Sequence, residues 1–232
     1  VIEDASHAIG GRYKDEPVGS CAHSKICVFS FHPVKIITTG EGGMSLTNNV
    51  ELFERMQKHR SHGITSNPSY MHSRPSNEIW NYQQVSIGHN YRMTDIHAAL
   101  GNSQLKSLKN FIKKRKKIAK KYNLFFKDLP LKVIDKNKII NSSNHLYIIR
   151  LIKKNNKKSH KFIFNFLIKN KIFVNLHYIP VYHHPFYRKM GFKKGYCPEA
   201  EKYYGEAISI PIFPSLTAKE QNRVISCLKK CF

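Results

Sequence analysis

The chain has 232 residues, 41% hydrophobic and 12% aromatic, enough to bury a core and too apolar for wholesale disorder. Lys+Arg total 39 against 15 Asp+Glu, a formal net charge of +24. No apolar run reaches the roughly 18 residues needed to span a bilayer, and no signal peptide is visible. The five cysteines include no C-x-x-C pair, which argues against a disulfide framework and for a reducing, cytoplasmic setting.

A charge of +24 is the footprint expected of a nucleic-acid or anionic-membrane partner. The basic stretches (NKNKIINSSN, LIKKNNKKSHK) are also rich in Asn and Ile, whose codons share the A/T bias of lysine. They fall where solvated helix faces and loops are expected. Genome composition therefore accounts for the charge without a nucleic-acid or membrane partner; attraction to small anions is the remaining alternative.

Val1-Ile2-Glu3-Asp4 reads as a buried strand ending in a carboxylate. Because termini are usually surface segments, such a start leads us to expect sequence upstream. Residues 25–31 (KICVFSF) form a second strand, followed by the glycine-rich turn Thr38-Thr39-Gly40-Glu41-Gly42-Gly43 and a short strand at 44–47. Asn48 or Asn49 caps a helix ending near His59. Residues 62–94 read as a long irregular segment, packed through Tyr70, Trp80, Tyr82 and Tyr91. Thr94 opens a helix with Asp95 in its first turn and apolar residues at Ile96, Leu100, Leu108, Ile112, Ile118, Tyr122 and Phe126. Gly101 marks either a close packing contact or a break.

Beyond the basic run 106–123 the expected order is a polar loop (135–144), a strand (145–151), a helix (157–170) and a strand (171–178). A Pro- and aromatic-rich stretch follows, then a helix (197–206), a strand Ala207–Ile210 and a final helix from Thr217. This alternation indicates an α/β or α+β second unit. The expected division is 1–106 and 107–232, joined by a linking helix over about 94–126.

The chemistry concentrates near the start. Asp4 lies at a strand end, where α/β sheets place their ligands. Lys35 follows the next strand, in a turn flanked by Pro33 and the glycines, where partial desolvation lowers an amine's pKa and lets it attack a carbonyl. Ser30 adds a hydroxyl. A carboxylate, an amine and a hydroxyl at adjacent strand ends suit pyridoxal phosphate, the carboxylate pairing with the protonated ring nitrogen. On residues alone, a solvated lysine and a turn-capping aspartate remain open.

The segments VIEDASHAIGG, FSFHPVKIITTGEGG and GHNYRMTDIHAALGNSQL resemble those of the DegT/DnrJ/EryC1/StrS sugar aminotransferases. The likeness runs in order to about residue 126 and continues more weakly through NHLYIIRL and VNLHYIPVY. It implies an α/β fold of the fold-type I pyridoxal-phosphate transferases: part of the large domain with a mixed, mostly parallel sheet, then a small C-terminal α/β domain. RSHG, WNYQQVSIGHNYRM and SSNHLY are of the kind found in the pseudaminic acid branch, which aminates C4 of a UDP-linked 4-keto-6-deoxy sugar. Relatives acting on other nucleotide 4-keto sugars share most of these segments.

The resemblance implies Lys35 as the cofactor lysine and proton carrier, Asp4 as partner of the ring nitrogen, His7 beside the ring, and Ser30 at the cofactor phosphate. It implies that Asn90 reaches the phosphate in the other subunit of a homodimer, with Tyr91 and Arg92 near that interface. His177 and Tyr178 approach the nucleotide sugar. Glutamate is the implied donor. His32 shapes the pocket without assigned chemistry, and Glu41 either lines the pocket or stabilises its turn. The spacing of His177, His183 and His184 fits no usual zinc pattern, so no metal is expected. Related dehydratases carry histidine in place of the lysine, and Lys35 argues against that activity. The family's preceding strands, with a phosphate-binding helix N-terminus and a ring-stacking aromatic, are not in this sequence. The chain alone is therefore expected to bind cofactor poorly, and a catalytically inactive fragment is the alternative reading.

Overall fold

The computed structural model describes residues 1–73, 77–133, 140–152 and 158–232. Residues 135–139 of the expected polar loop, residue 157 at the start of an expected helix, Pro75 and part of the LIKKNNKKSHK run lie outside the described residues. The chain forms two compact units, Val1–Leu108 and Lys109–Phe232.

In the first unit, β1 (Ile2–Asp4) runs parallel to β4 (Ile26–Ser30), with Asp4 opposite Val28. Between them lies the hairpin β2 (Arg12–Tyr13) and β3 (Glu16–Pro17), turned at Lys14 and Asp15, both at positive φ. That conformation matches the twist of a tight hairpin. β4 also pairs antiparallel with β5 (Gly43–Leu46), so the sheet β1-β4-β5 is mixed. α1 (Val50–Arg60) starts at Asn49, whose side chain accepts the Leu52 N–H at 2.8 Å. Short strands β6 (Ile64–Thr65) and β7 (Gln83–Gln84) pair within the following segment.

Two expectations fail here. β1 is not buried: Ile2 is 68% exposed, and among the described residues β1 pairs with β4 alone. Nor are the aromatics of 62–94 buried: Trp80 is 72% exposed, Tyr82 and Tyr91 also face outward, and Tyr70 is exposed with Lys58 Nζ over its ring at 4.0 Å. The backbone bonds after β7 run instead to the end of α1, where His89 N–H and Tyr91 N–H donate to the carbonyls of His59 and Arg60.

α2 (Asp95–Phe126) begins in the first unit and continues into the second. Gly101 is a close contact and not a break: a Cβ there would lie 2.8 Å from Thr39 Cγ2. In the second unit, β8 (Leu131–Val133) and β10 (Tyr147–Leu151) pair antiparallel, and β11 (Ala207–Ile210) flanks β10 on the other side. β9 (Ile140–Asn141) precedes β10; α3 (His160–Lys169), α4 (Pro185–Lys189) and α5 (Pro198–Tyr204) separate β10 from β11. α6 (Ala218–Lys229) carries a capping box in which Thr217 and Glu220 bond reciprocally. The core of this unit gathers Tyr122 and Phe126 of α2, Ile149 of β10, Leu167 of α3, Ile208 of β11 and Leu228 of α6. A further expectation is corrected: residues 171–178 are not a strand. Ile172 and Val174 are buried in alternation, but pairing is confined to one bridge, Asn175 to Ser209, among the described residues.

Arg115 is only 5% exposed inside this unit and has no carboxylate partner among the described residues. Its Nη1 donates to the carbonyls of Ile212 (2.9 Å), His145 (3.1 Å) and Asn144 (3.2 Å). All five cysteines are free, and no helix among the described residues is long and apolar enough to cross a membrane.

Candidate active site

The parallel pairing of β1 and β4 puts their carboxyl ends side by side. Asp4 closes β1, and Ala5 N–H donates to Val28 O at 2.9 Å, locking the backbone. Ser30 closes β4, and its Oγ accepts the His32 N–H at 3.4 Å. The chain then turns, with Lys35 N–H donating to His32 O at 2.9 Å, so the lysine returns over the strand end. The buried pair Ile36-Ile37 anchors this turn from below.

Asp4 and Lys35 sense each other's charge. Burial pushes the half-buried Lys35 ammonium below the ordinary lysine range, and the Asp4 carboxylate pulls it part of the way back. The Asp4 carboxyl is held below its usual range chiefly by the Ser6 hydroxyl, then by the Ser6 backbone N–H; burial opposes this, and the charges of His7 and Lys35 add to it. Ser6 Oγ–H and N–H both donate to Asp4 Oδ1, at 2.5 and 3.1 Å. The structure thus assembles an ionised carboxylate and an amine with a weakened hold on its proton, with His7 and Ser30 on the same two strand ends.

Asn90 is exposed and lies away from this pair in its bonding, bridged to Ser61 just past α1. Tyr91 stacks on His89 with ring centroids 4.6 Å apart, and Arg92 is exposed. His32 and Glu41 face each other at 3.9 Å, both exposed, and Thr39 Oγ1–H donates to the main-chain carbonyl of Glu41 at 2.7 Å, which makes the Glu41 backbone part of the turn. His177 and Tyr178 lie in the second unit. His177 Nδ1 is 2.8 Å from Ser209 Oγ and borders a cavity of about 540 Å³ with Asn175, Phe213 and Arg223, while Tyr178 is exposed. His183 instead meets Glu201 at 3.1 Å, and His184 is exposed. No group of three or more His, Cys, Asp or Glu among the described residues is arranged to hold a metal ion. The first unit also holds an apolar cavity of about 270 Å³, bounded by Phe29, Phe31, Ile37, Met44, Met93 and Leu105.

Sequence reasoning passed over Ser6. The signal was present: a hydroxyl residue two positions after an aspartate commonly closes a side-chain turn.

A family model described as the DegT/DnrJ/EryC1/StrS aminotransferase family matches residues 1–229. The chain belongs to the DegT/DnrJ/EryC1/StrS aminotransferase family. It is 37% identical over 225 residues to the UDP-4-amino-4,6-dideoxy-N-acetyl-beta-L-altrosamine transaminase of Campylobacter jejuni, covering 95% of this chain and 55% of that one. Among solved structures it resembles Helicobacter pylori PseC, an aminotransferase involved in pseudoaminic acid biosynthesis, with a TM-score of 0.86 and 34% identity over 100% of this chain and 59% of that one. It also resembles the Streptococcus pneumoniae sugar aminotransferase Spr1654 in its PMP form, with a TM-score of 0.88 and 29% identity over 99% of this chain and 58% of that one. The same protein was solved in a PLP form. The chain therefore spans little more than half the length of these relatives.

Proposed function

We propose that this chain carries the lysine-bearing part of a pyridoxal 5′-phosphate-dependent sugar aminotransferase. It would move an amino group from glutamate to C4 of a UDP-linked 4-keto-6-deoxy sugar. The carrying observation is the electrostatically coupled Asp4–Lys35 pair at the carboxyl ends of two parallel strands. Family membership and the named activity of the Campylobacter relative support the substrate class.

The residues present fit the cofactor. Pyridoxal phosphate supplies an aldehyde and an electron-withdrawing protonated ring. Asp4 remains ionised to accept the ring N–H, and both of its hydrogen bonds fall on Oδ1, leaving Oδ2 as the open acceptor among the described residues. Lys35, partly desolvated and with its ammonium held below the ordinary lysine range, would present Nζ as nucleophile and afterwards hold or return a proton at the substrate carbon. His7 would flank the ring and Ser30 Oγ would meet the phosphate. Asn90, exposed on the first unit, would serve the partner subunit's phosphate in a homodimer. His177 and Tyr178 would address the sugar nucleotide, and the 1–106 and 107–232 parts would act as large-domain remainder and small domain.

The test is chemical. The chain is incubated with pyridoxal phosphate, reduced with borohydride, digested and mapped by mass spectrometry. Lys35 should be labelled in strong preference to the other lysines, and Asp4→Asn should weaken that preference. Labelling spread evenly over the surface lysines would refute the reading.

A further inference from the structure

We propose that Ser6 is a positioning residue for the cofactor: its two donors clamp Asp4 Oδ1 so that Oδ2 is presented to the ring nitrogen. The inference rests on the function proposed above. The Asp4 backbone is already fixed by its pairing with Val28 and by the Ala5 N–H bond to Val28 O. What remains free is rotation of the side chain, and the terminal torsion of a carboxylate is broad and two-fold. One donor would leave that rotation soft. Two donors from a single residue, at 2.5 and 3.1 Å on the same oxygen, hold the plane of the carboxylate and leave its other oxygen unbonded among the described residues.

A turn alone requires only the backbone N–H. The hydroxyl adds a charge-assisted bond to an exposed strand-end carboxylate. A carboxylate held in this way keeps its negative charge when the ring approaches, and it reaches the ring N–H without first being turned. Ser6 touches neither the cofactor nor the substrate in this scheme; it acts through Asp4.

The experiment compares the wild-type chain with Ser6→Ala and Ser6→Thr by two readouts. The Asp4 carboxyl carbon is titrated by ¹³C NMR without cofactor, and the pyridoxal phosphate concentration giving half-maximal labelling of Lys35 is measured. Ser6→Ala keeps the backbone bond and loses the hydroxyl. It should move the Asp4 midpoint upward and raise the half-maximal concentration about three- to tenfold, less than the roughly tenfold or more that losing a hydrogen bond to a charged group costs outright, because the effect on the cofactor is indirect and the backbone bond remains. Ser6→Thr should restore both. An unmoved Asp4 midpoint in Ser6→Ala overturns the clamp. A shifted midpoint with unchanged labelling overturns the link to the cofactor. If wild-type Lys35 is not selectively labelled, the functional reading itself falls, while the titration still decides whether Ser6 holds Asp4.

Discussion

Replacing Arg115 by methionine tests how the second unit is held together. The guanidinium sits on the buried face of α2 with Ile118, Ala119, Tyr122 and Phe126. Its Nη1 shares two hydrogens among three carbonyls, from Asn144, His145 and Ile212, which lie before β10 and after β11. It thereby ties three chain segments together without a counter-ion among the described residues. Burial pushes this guanidinium below the ordinary arginine range, a sign that the charge is expensive where it sits. Methionine keeps most of the stem volume but removes the donors. Each buried acceptor bond lost costs about 1–3 kcal/mol. Relief of the buried charge offsets part of this. The net expectation is destabilisation by about 2–4 kcal/mol. Urea unfolding followed by circular dichroism should show the midpoint falling by about 1–2 M, for a slope near 2 kcal/mol per M. Arg115→Lys, with one mobile ammonium in place of a planar fork, should fall between the two. A methionine variant as stable as wild type would show that the three carbonyls find other donors, and the staple would be an accident of packing.

Two smaller tests follow from local geometry. Gly101→Ala gains about 1 kcal/mol of helix propensity but forces a methyl to 2.8 Å from Thr39 Cγ2, an overpacking of about 1–3 kcal/mol. Thr39 is buried and its hydroxyl is committed to Glu41 O, so the clash should win and lower the melting temperature; a rise would mean that the turn yields freely. Glu201 accepts from Gly195 N–H (2.6 Å), Tyr182 Oη (3.0 Å) and His183 Nε2 (3.1 Å). Chiefly through the Gly195 bond, and helped by His183 and Tyr182, its carboxyl is held below the ordinary value of 4.5. The stabilisation is therefore fully present above that value and is lost as pH falls through the lower folded value. Exchange protection of the Gly195 amide should drop on acidification in wild type and be low and pH-insensitive in Glu201→Ala, which lacks the acceptor. Equal protection in both proteins would remove Glu201 from the role.

The elements that the sequence disclosed are those with local punctuation. Asn49 and Thr217 cap α1 and α6 with their own side chains, and β11, Ala-Ile-Ser-Ile, is buried on both faces. Asp4, Ser30 and Lys35 could be placed at strand ends because the strands are short and the turn chemistry lies beside them. Residues 171–178 misled because alternating burial of Ile172 and Val174 imitates a strand, while ladder formation depends on a neighbour that only Ser209 supplies. The outward aromatics around Trp80 misled for a related reason: an aromatic favours burial but is often left exposed, so its presence in a sequence does not establish burial. The charge coupling of Asp4 and Lys35 was not legible at all, since it arises from the register of β1 on β4.

That register also bears on how such a chain tolerates change in its length. Asp4 is aligned by pairing with Val28 and by Ala5 and Ser6 just after it, not by the β2–β3 hairpin tip at Lys14 and Asp15, which is exposed. Insertions there lengthen a surface excursion, at about 0.6 kcal/mol per doubling of a flexible loop, and leave the carboxylate where it is. A single residue deleted within Ile2–Asp4 does the opposite: it rotates the strand by half its repeat and sends the carboxylate to the other face of the sheet. Variation in length among descendants of this chain should therefore accumulate in the hairpin and stop abruptly at the three residues before Ala5.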